Sequence, residues 1–163
     1  MPRPLSEPPH EATPSLPPPD LVGSVFDGRY EVQEQLGAGG FGVVYRARDT
    51  KHDRIVALKL LRAEYGAHRS LRRRFEREAR ALAALSHPNV VAIIGYGVAE
   101  QGPYLVMELL RGRGLDRELA GSGPLDPKRA LSVMRALLSG LAYVHDQGLI
   151  HRDLKPGNVF MTT

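Results

Sequence analysis

The sequence predicts an α+β fold: strands dominate the first two thirds of the chain, with one helix set among them, and helices dominate the rest. Three observations carry this. Two β-rich runs flank the glycine-dense stretch Gly37-Ala38-Gly39-Gly40-Phe41-Gly42, the pattern of a hairpin. The run Ile55-Val56-Ala57-Leu58-Lys59-Leu60-Leu61 is apolar at every position but one, the pattern of a strand buried on both faces. Helical spacing of apolar residues appears twice, at Leu71, Phe75, Leu82 and Leu85 and again at Ala130, Met134, Leu137, Leu141 and Val144.

Composition bounds the answer. A chain of 163 residues with 42% hydrophobic and 25% charged residues suggests one globular domain. It has no Cys, so disulfides and cysteine zinc sites are excluded. No apolar run approaches the roughly 18 residues of a membrane span, and no apolar signal core opens the chain. The expectation is a cytoplasmic protein without a membrane segment. The net charge of +4 is mild and does not demand nucleic acid.

In chain order, eight of the 13 prolines precede Asp20. Residues 1–26 are therefore expected to form a Pro-rich disordered tail, with a single domain over 27–163. Tyr30, Val32 and Leu36 suggest a first strand; after the glycines, Val43 to Arg48 continue as a second. The glycines fit G-x-G-x-x-G-x-V, with Val44 in the last place. Dinucleotide-binding proteins share those glycines, but there the loop opens a helix. Here β-branched residues follow, so the unit is a hairpin whose glycine tip can approach phosphates and offer N–H groups. In the third strand, Lys59 places an ammonium among apolar neighbours and needs an anion. The helix that follows places Glu78 on its apolar stripe, while Arg69, Arg73, Arg77 and Arg80 fall on the far side. An ion pair between Lys59 and Glu78 satisfies both groups; the alternative is that Glu78 extends from the stripe edge to water. His87-Pro88 ends the helix, and His87 reads as a packing residue because no second metal ligand lies at suitable spacing. Val90 to Tyr96 and Tyr104 to Leu110 read as two more strands, making five. A short helix near Leu115 to Ala120 precedes a longer one, capped by Asp126, begun at Pro127 and stopped by Gly148. Its wide apolar side is expected to leave an exposed patch. Val159-Phe160-Met161 opens another strand.

The run that follows the long helix is His151-Arg152-Asp153-Leu154-Lys155-Pro156-Gly157-Asn158. It resembles the catalytic loop H-R-D-L-x-x-x-N of protein kinases, and Val56-Ala57-Leu58-Lys59 resembles the V-A-I-K strand of the same family. With the glycine hairpin and Glu78, four motifs stand in the family's order from about Asp27 onward. Lys155, two after Asp153, resembles the serine/threonine branch, and the whole is similar to bacterial kinases of the eukaryotic (Hanks) type.

The resemblance implies a protein-kinase-like two-lobe fold, with a five-stranded N-lobe and one helix over 27–110 and the start of a C-lobe over 111–163. It implies ATP and Mg2+ as cofactors and a protein bearing Ser or Thr as substrate. It implies that Asp153 receives the proton of the acceptor hydroxyl, that Lys155 opposes the charge of the transferring phosphoryl, and that Asn158 holds the metal. It further implies an ATP site built from Leu36, Gly37, Ala38, Gly39, Gly40, Phe41, Gly42, Val44, Ala57, Lys59, Glu78, Met107 as gatekeeper, Glu108 to Leu110 as the adenine-binding hinge, and Phe160 beneath the base. The family continues with D-F-G and A-P-E segments. No Asp-Phe-Gly occurs in these residues, so the resemblance covers a little over half of such a domain. A non-catalytic nucleotide-binding or interaction remnant is the alternative reading.

Overall fold

The computed structural model describes residues 20–40, 42–66 and 68–162. Six strands form one antiparallel sheet: β1 (Val25–Phe26), β2 (Tyr30–Gly39), β3 (Gly42–Asp49), β4 (Arg54–Leu61), β5 (Ile93–Ala99) and β6 (Gly102–Glu108). Their order in space is β1-β2-β3-β4-β6-β5. Between β4 and β5 the chain makes a 3-10 turn, Ala63–Gly66, and helix α1, Arg69–Ala83. After β6 come β7 (Gly112–Gly114), α2 (Leu115–Ser122), α3 (Pro127–Asp146), a second 3-10 turn (Pro156–Asn158) and β8 (Phe160–Thr162). β7 and β8 pair as a separate two-stranded sheet.

The expected α+β order stands, with two strands that were not expected: β1, which makes the large sheet six-stranded rather than five-stranded, and β7. β1 is two residues long and pairs Phe26 with Tyr30. Its turn is made by Asp27 and Gly28, both at positive φ, with Arg29 N–H bonded to Phe26 O at 3.1 Å. Asp-Gly is the standard pair for such a turn. The tail expected over residues 1–26 is too long at its inner end. Leu21 and Phe26 are both buried in the core cluster, and Ser24 Oγ donates to Leu21 O at 2.6 Å. Residues 1–19 lie outside the described residues.

The core lies on one face of the sheet. Strand alternation sends Val43, Tyr45 and Ala47 of β3, Val56, Leu58 and Leu60 of β4, and Tyr104 and Val106 of β6 to the same side. Each fully buried residue of this size removes enough apolar surface for about 1.5–3 kcal/mol. α1 buries Phe75 and Ala79 and packs against β5, β6 and the first 3-10 turn.

The last two sheet strands lie a few residues off their expected places, at 93–99 and 102–108. Val90 is drawn into a bridge with His87, and Ala92 N–H is taken by the Glu108 carboxylate at 2.7 Å, so residues 90–92 run outside the strand. The loop His87-Pro88-Asn89 is seated on α3. His87 stacks on Tyr143 at 5.0 Å, and its ring nitrogens meet Asn89 N and Ser139 Oγ. A Cβ on Gly140 would lie 2.9 Å from Asn89 O, so α3 needs a glycine there. His87 is thus a packing residue, as expected. α3 itself begins as read: the Asp126 carboxylate accepts from the N–H groups of Lys128 and Arg129, each at 3.0 Å.

Candidate functional site

Four of the residues expected in an ATP site lie on the sheet face opposite the core. Register places Val44 across from Lys59, and Ala57 across from Met107. Cross-strand partners share a face, so Val44, Ala57, Lys59 and Met107 form one patch on three adjacent strands. Leu36 stands in the bulge of β2 between Gln35 and Gly37 and is exposed.

The glycine hairpin closes with Gly39 paired to Gly42. Around Gly37, Gly39 and Gly40, a Cβ would meet nothing within 4 Å; the backbone is open to a ligand on that side. Gly42 differs. Its φ is +143°, and a Cβ there would lie 2.0 Å from Leu60 O. It is required by packing against β4, a role its place in the glycine motif did not disclose. Phe41 lies outside the described residues.

Lys59 and Glu78 do not meet. Among the described residues no carboxylate lies within ion-pair distance of Lys59. Glu78 instead accepts from Arg74 Nε, one turn earlier on α1, at 2.8 Å. The expected pairing is therefore corrected, for two reasons. α1 leans on β5 and β6 rather than on β4, and Arg74 supplies a closer cation. Burial holds the Lys59 ammonium below the ordinary lysine range. Asp153 partly opposes that effect and Lys155 adds to it.

After Met107 on β6, Glu108 is held twice by Ala92. Its N–H donates to Ala92 O at 3.1 Å, and its carboxylate accepts from Ala92 N–H. Leu110 is half-buried in the coil that follows. β7 continues this strip and pairs Gly114 with Phe160 of β8; the Phe160 ring is 43% exposed.

The loop 151–158 brings two polar side chains onto one carboxylate. Lys155 Nζ lies 3.0 Å from Asp153 Oδ2. Asn158 Nδ2 donates to the same oxygen at 2.9 Å and to Asp153 O at 2.7 Å. Lys155 first, and Asn158 second, hold the Asp153 carboxyl below its usual range. Arg152 adopts a positive φ of 63°, and the turn Pro156–Asn158 bends the chain back, with Asn158 N–H bonded to Lys155 O at 2.9 Å. Asn158 Oδ1 has no partner among the described residues, so it can offer one oxygen to a hard cation. That matches Mg2+, which takes few protein ligands and fills its shell with phosphate and water oxygens. No group of three or more acidic or His side chains among the described residues could hold a metal unaided.

Two charged residues escaped the sequence reading. Arg74 was hidden within a run of arginines; its i,i+4 spacing to Glu78 was the available signal. Glu118 of α2 is buried between Arg113, at 3.3 Å, and Arg129, at 3.0 Å, which ties β7, α2 and α3 together.

Comparison with known proteins gives a consistent picture. Residues 30–163 match the protein kinase domain family. Serine/threonine-protein kinase PrkC of Bacillus subtilis is 40% identical over 141 residues, covering 86% of this chain and 22% of PrkC. Serine/threonine-protein kinase pkn2 of Myxococcus xanthus is 44% identical over 138 residues, covering 85% of this chain and 16% of its own length. The crystal structure of the Mycobacterium tuberculosis PknI kinase domain superposes with a TM-score of 0.76 at 31% identity, covering 86% of this chain and 57% of that one. The chain thus spans a small part of these curated relatives and a little over half of the solved domain. No helix among the described residues is long and apolar enough to cross a membrane.

Proposed function

The chain belongs to the protein kinase family, and from that premise we propose that it is the nucleotide-binding and catalytic-loop portion of an ATP-dependent serine/threonine protein kinase. One observation carries the reading: the loop 151–158 folds Lys155 Nζ and Asn158 Nδ2 onto the Asp153 carboxylate, at 3.0 and 2.9 Å, the arrangement that keeps a carboxylate ionised and ready to take a proton.

Each group has a distinct task. The open backbone at Gly37, Gly39 and Gly40 cradles phosphates through N–H groups. Lys59 neutralises them. Val44 and Ala57 cover the base from above, Met107 bounds its pocket, the strip from Glu108 to Leu110 binds its edge, and Phe160 lies on its other side. Asp153, kept ionised by Lys155 and Asn158, orients the acceptor hydroxyl and takes its proton. Lys155 opposes negative charge that builds on the transferred group. Asn158 supplies one ligand to Mg2+, which neutralises the phosphates when bound. The substrate is a Ser or Thr hydroxyl of a protein.

Nucleotide binding to the chain tests this. A fluorescent ATP analogue with Mg2+ is expected to bind weakly. Lys59→Met is expected to weaken it about tenfold, and Asp153→Asn to leave it within about twofold. With the rest of the domain present, Asp153→Asn is expected to lower phosphoryl transfer by about 10²–10⁴. Equal binding by wild type and a folded Lys59→Met variant would sink the assignment.

A further inference from the structure

Helix α1 and strand β4 present two cations and one carboxylate. Glu78 Oε1 accepts from Arg74 Nε at 2.8 Å. Both side chains are only about a quarter exposed. The contact is half of what the two groups can make. A guanidinium and a carboxylate facing squarely form two parallel bonds. Here Arg74 Nη2 is buried with no acceptor, and Glu78 Oε2 has no partner among the described residues. A buried donor without an acceptor keeps the whole cost of its lost hydration. On β4, half-buried Lys59 has no carboxylate within ion-pair distance of its ammonium among the described residues.

We propose that Arg74 is a positioning residue that holds Glu78 away from Lys59, so that two cations compete for one carboxylate and the outcome sets where Glu78 stands. The inference rests on the reading of Lys59 as the phosphate-binding lysine. In the state seen, Arg74 is half satisfied and Lys59 is unpaired; in the other, Lys59 gains Glu78 and Arg74 loses it. Neither arrangement satisfies both cations, so the change exchanges one ion pair for another, and weakening either cation's hold shifts the balance toward the other. The mount of α1 allows the change. Its N-cap, His68, makes no side-chain cap bond, and its first turn holds no acid. Arg69 and Arg72 stand instead at the end of the helix that favours negative charge.

Zero-length coupling with a water-soluble carbodiimide tests the competition on the intact chain. The reagent joins a carboxylate to an amine only where the two touch, and it cannot join Glu78 to arginine. In wild type, mass spectrometry is expected to find little Lys59–Glu78 amide. Arg74→Met keeps the apolar stem and removes every donor; the amide is expected to rise about tenfold. Arg74→Lys keeps a competing cation, so the Lys59–Glu78 product is expected to stay within about twofold of wild type while the introduced amine itself couples to Glu78. A merely structural role for Arg74 would not separate these variants. Abundant Lys59–Glu78 amide in wild type would overturn the proposal, as would an unchanged yield in Arg74→Met with a native thermal transition. If Arg74→Met does not fold, Arg74→Gln is read in its place by the same criterion. Nucleotide binding is scored separately. Its indifference to Lys59→Met, with the coupling pattern as expected, would count against the kinase reading and leave the competition standing.

Discussion

The sheet and helix α3 use the same apolar residues to opposite ends. Leu58 of β4 is fully buried, whereas Leu138 of α3 is 57% exposed. Leu58 was read from the sequence as buried on a two-faced strand, and the wide apolar side of α3, to which Leu138 belongs, as leaving an exposed patch. β4 is enclosed by β3 on one side and β6 on the other, and its inner face meets side chains from β2, β3 and β6. α3 touches the loop 86–89 along a strip near Tyr143 and Gly140, and there its Leu137, Leu141 and Val144 are half-buried. Leu131, Met134 and Leu138 point away from that strip and are exposed. Periodicity identifies a stripe that can be buried; whether it is buried depends on what the rest of the fold sets against it.

The contrast breaks most sharply under truncation. Leu58→Ala is expected to cost about 2–5 kcal/mol, because it empties a packed site. Leu138→Ala is expected to stay within about 0.5 kcal/mol and to reduce self-association, since it shrinks an exposed apolar patch. Urea titration of the two variants, with light scattering on the second, measures both. A Leu138→Ala loss as large as that of Leu58→Ala would mean that α3 packs on the domain more fully than its exposure indicates.

Charge pairs repeat the contrast on a smaller scale. Asp49, at the turn between β3 and β4, is fully buried and saturated. Arg29 reaches it through Nε and Nη2 at 2.7 and 2.8 Å, His52 Nδ1 lies 2.9 Å away, and Lys51 N–H adds a bond at 3.2 Å. Glu78 has one bond. Asp49→Asn is expected to cost roughly 2–3 kcal/mol at neutral pH. That is less than breaking a wholly buried pair, because Arg29 is about a third exposed and can be rehydrated. The Arg29 bond is the main reason that the Asp49 carboxyl stays far below the ordinary carboxylate range. A depressed pKa contributes stability that is present in full above the unfolded value, near pH 4, and is lost as pH falls below it. The gap between wild type and Asp49→Asn should therefore be constant from about pH 7 to 5 and narrow below pH 4. A gap that does not narrow on acidification would remove the ion pair as its cause.

Legibility followed the same division. The glycine hairpin, the lysine strand and the loop 151–158 could be read because each motif is contiguous, and its function depends on local backbone geometry. The partner of Glu78 could not, because it depends on how far α1 stands from β4, which no local pattern encodes. Periodicity put Glu78 on the apolar side of α1, yet Arg74, one turn away, was the nearer partner. β1 was missed for a different reason. Two residues are too few for a strand pattern, although Asp27-Gly28 between Phe26 and Tyr30 was a usable hairpin signal. Leu21 and Phe26 were assigned to the tail on composition alone, when neighbouring prolines say little about one buried side chain.

The smallest contrast lies at the helix starts. α3 opens on Asp126, whose carboxylate takes two orphan N–H groups, with Pro127 at the first helical position. α1 opens on His68, in an equally extended conformation (φ −118°, ψ 147°) but with no side-chain bond and no acid in its first turn. A carboxylate at the N-cap stabilises by about 1 kcal/mol through its hydrogen bonds and by somewhat more against the helix dipole. Asp126→Ala is therefore expected to lose about 1 kcal/mol. His68→Asp is expected to gain roughly 0.5–1 kcal/mol, since the backbone at residue 68 already suits a cap and Arg69 and Arg72 add favourable charge. Paired urea titrations at low ionic strength measure both. Repeating them at 1 M salt should shrink the His68→Asp gain more than the Asp126→Ala loss, because the first draws more on exposed charge and the second on hydrogen bonds. No gain from His68→Asp at either salt would mean that the first turn of α1 is already fixed by its contacts with the turn Ala63–Gly66, and that capping does not limit it.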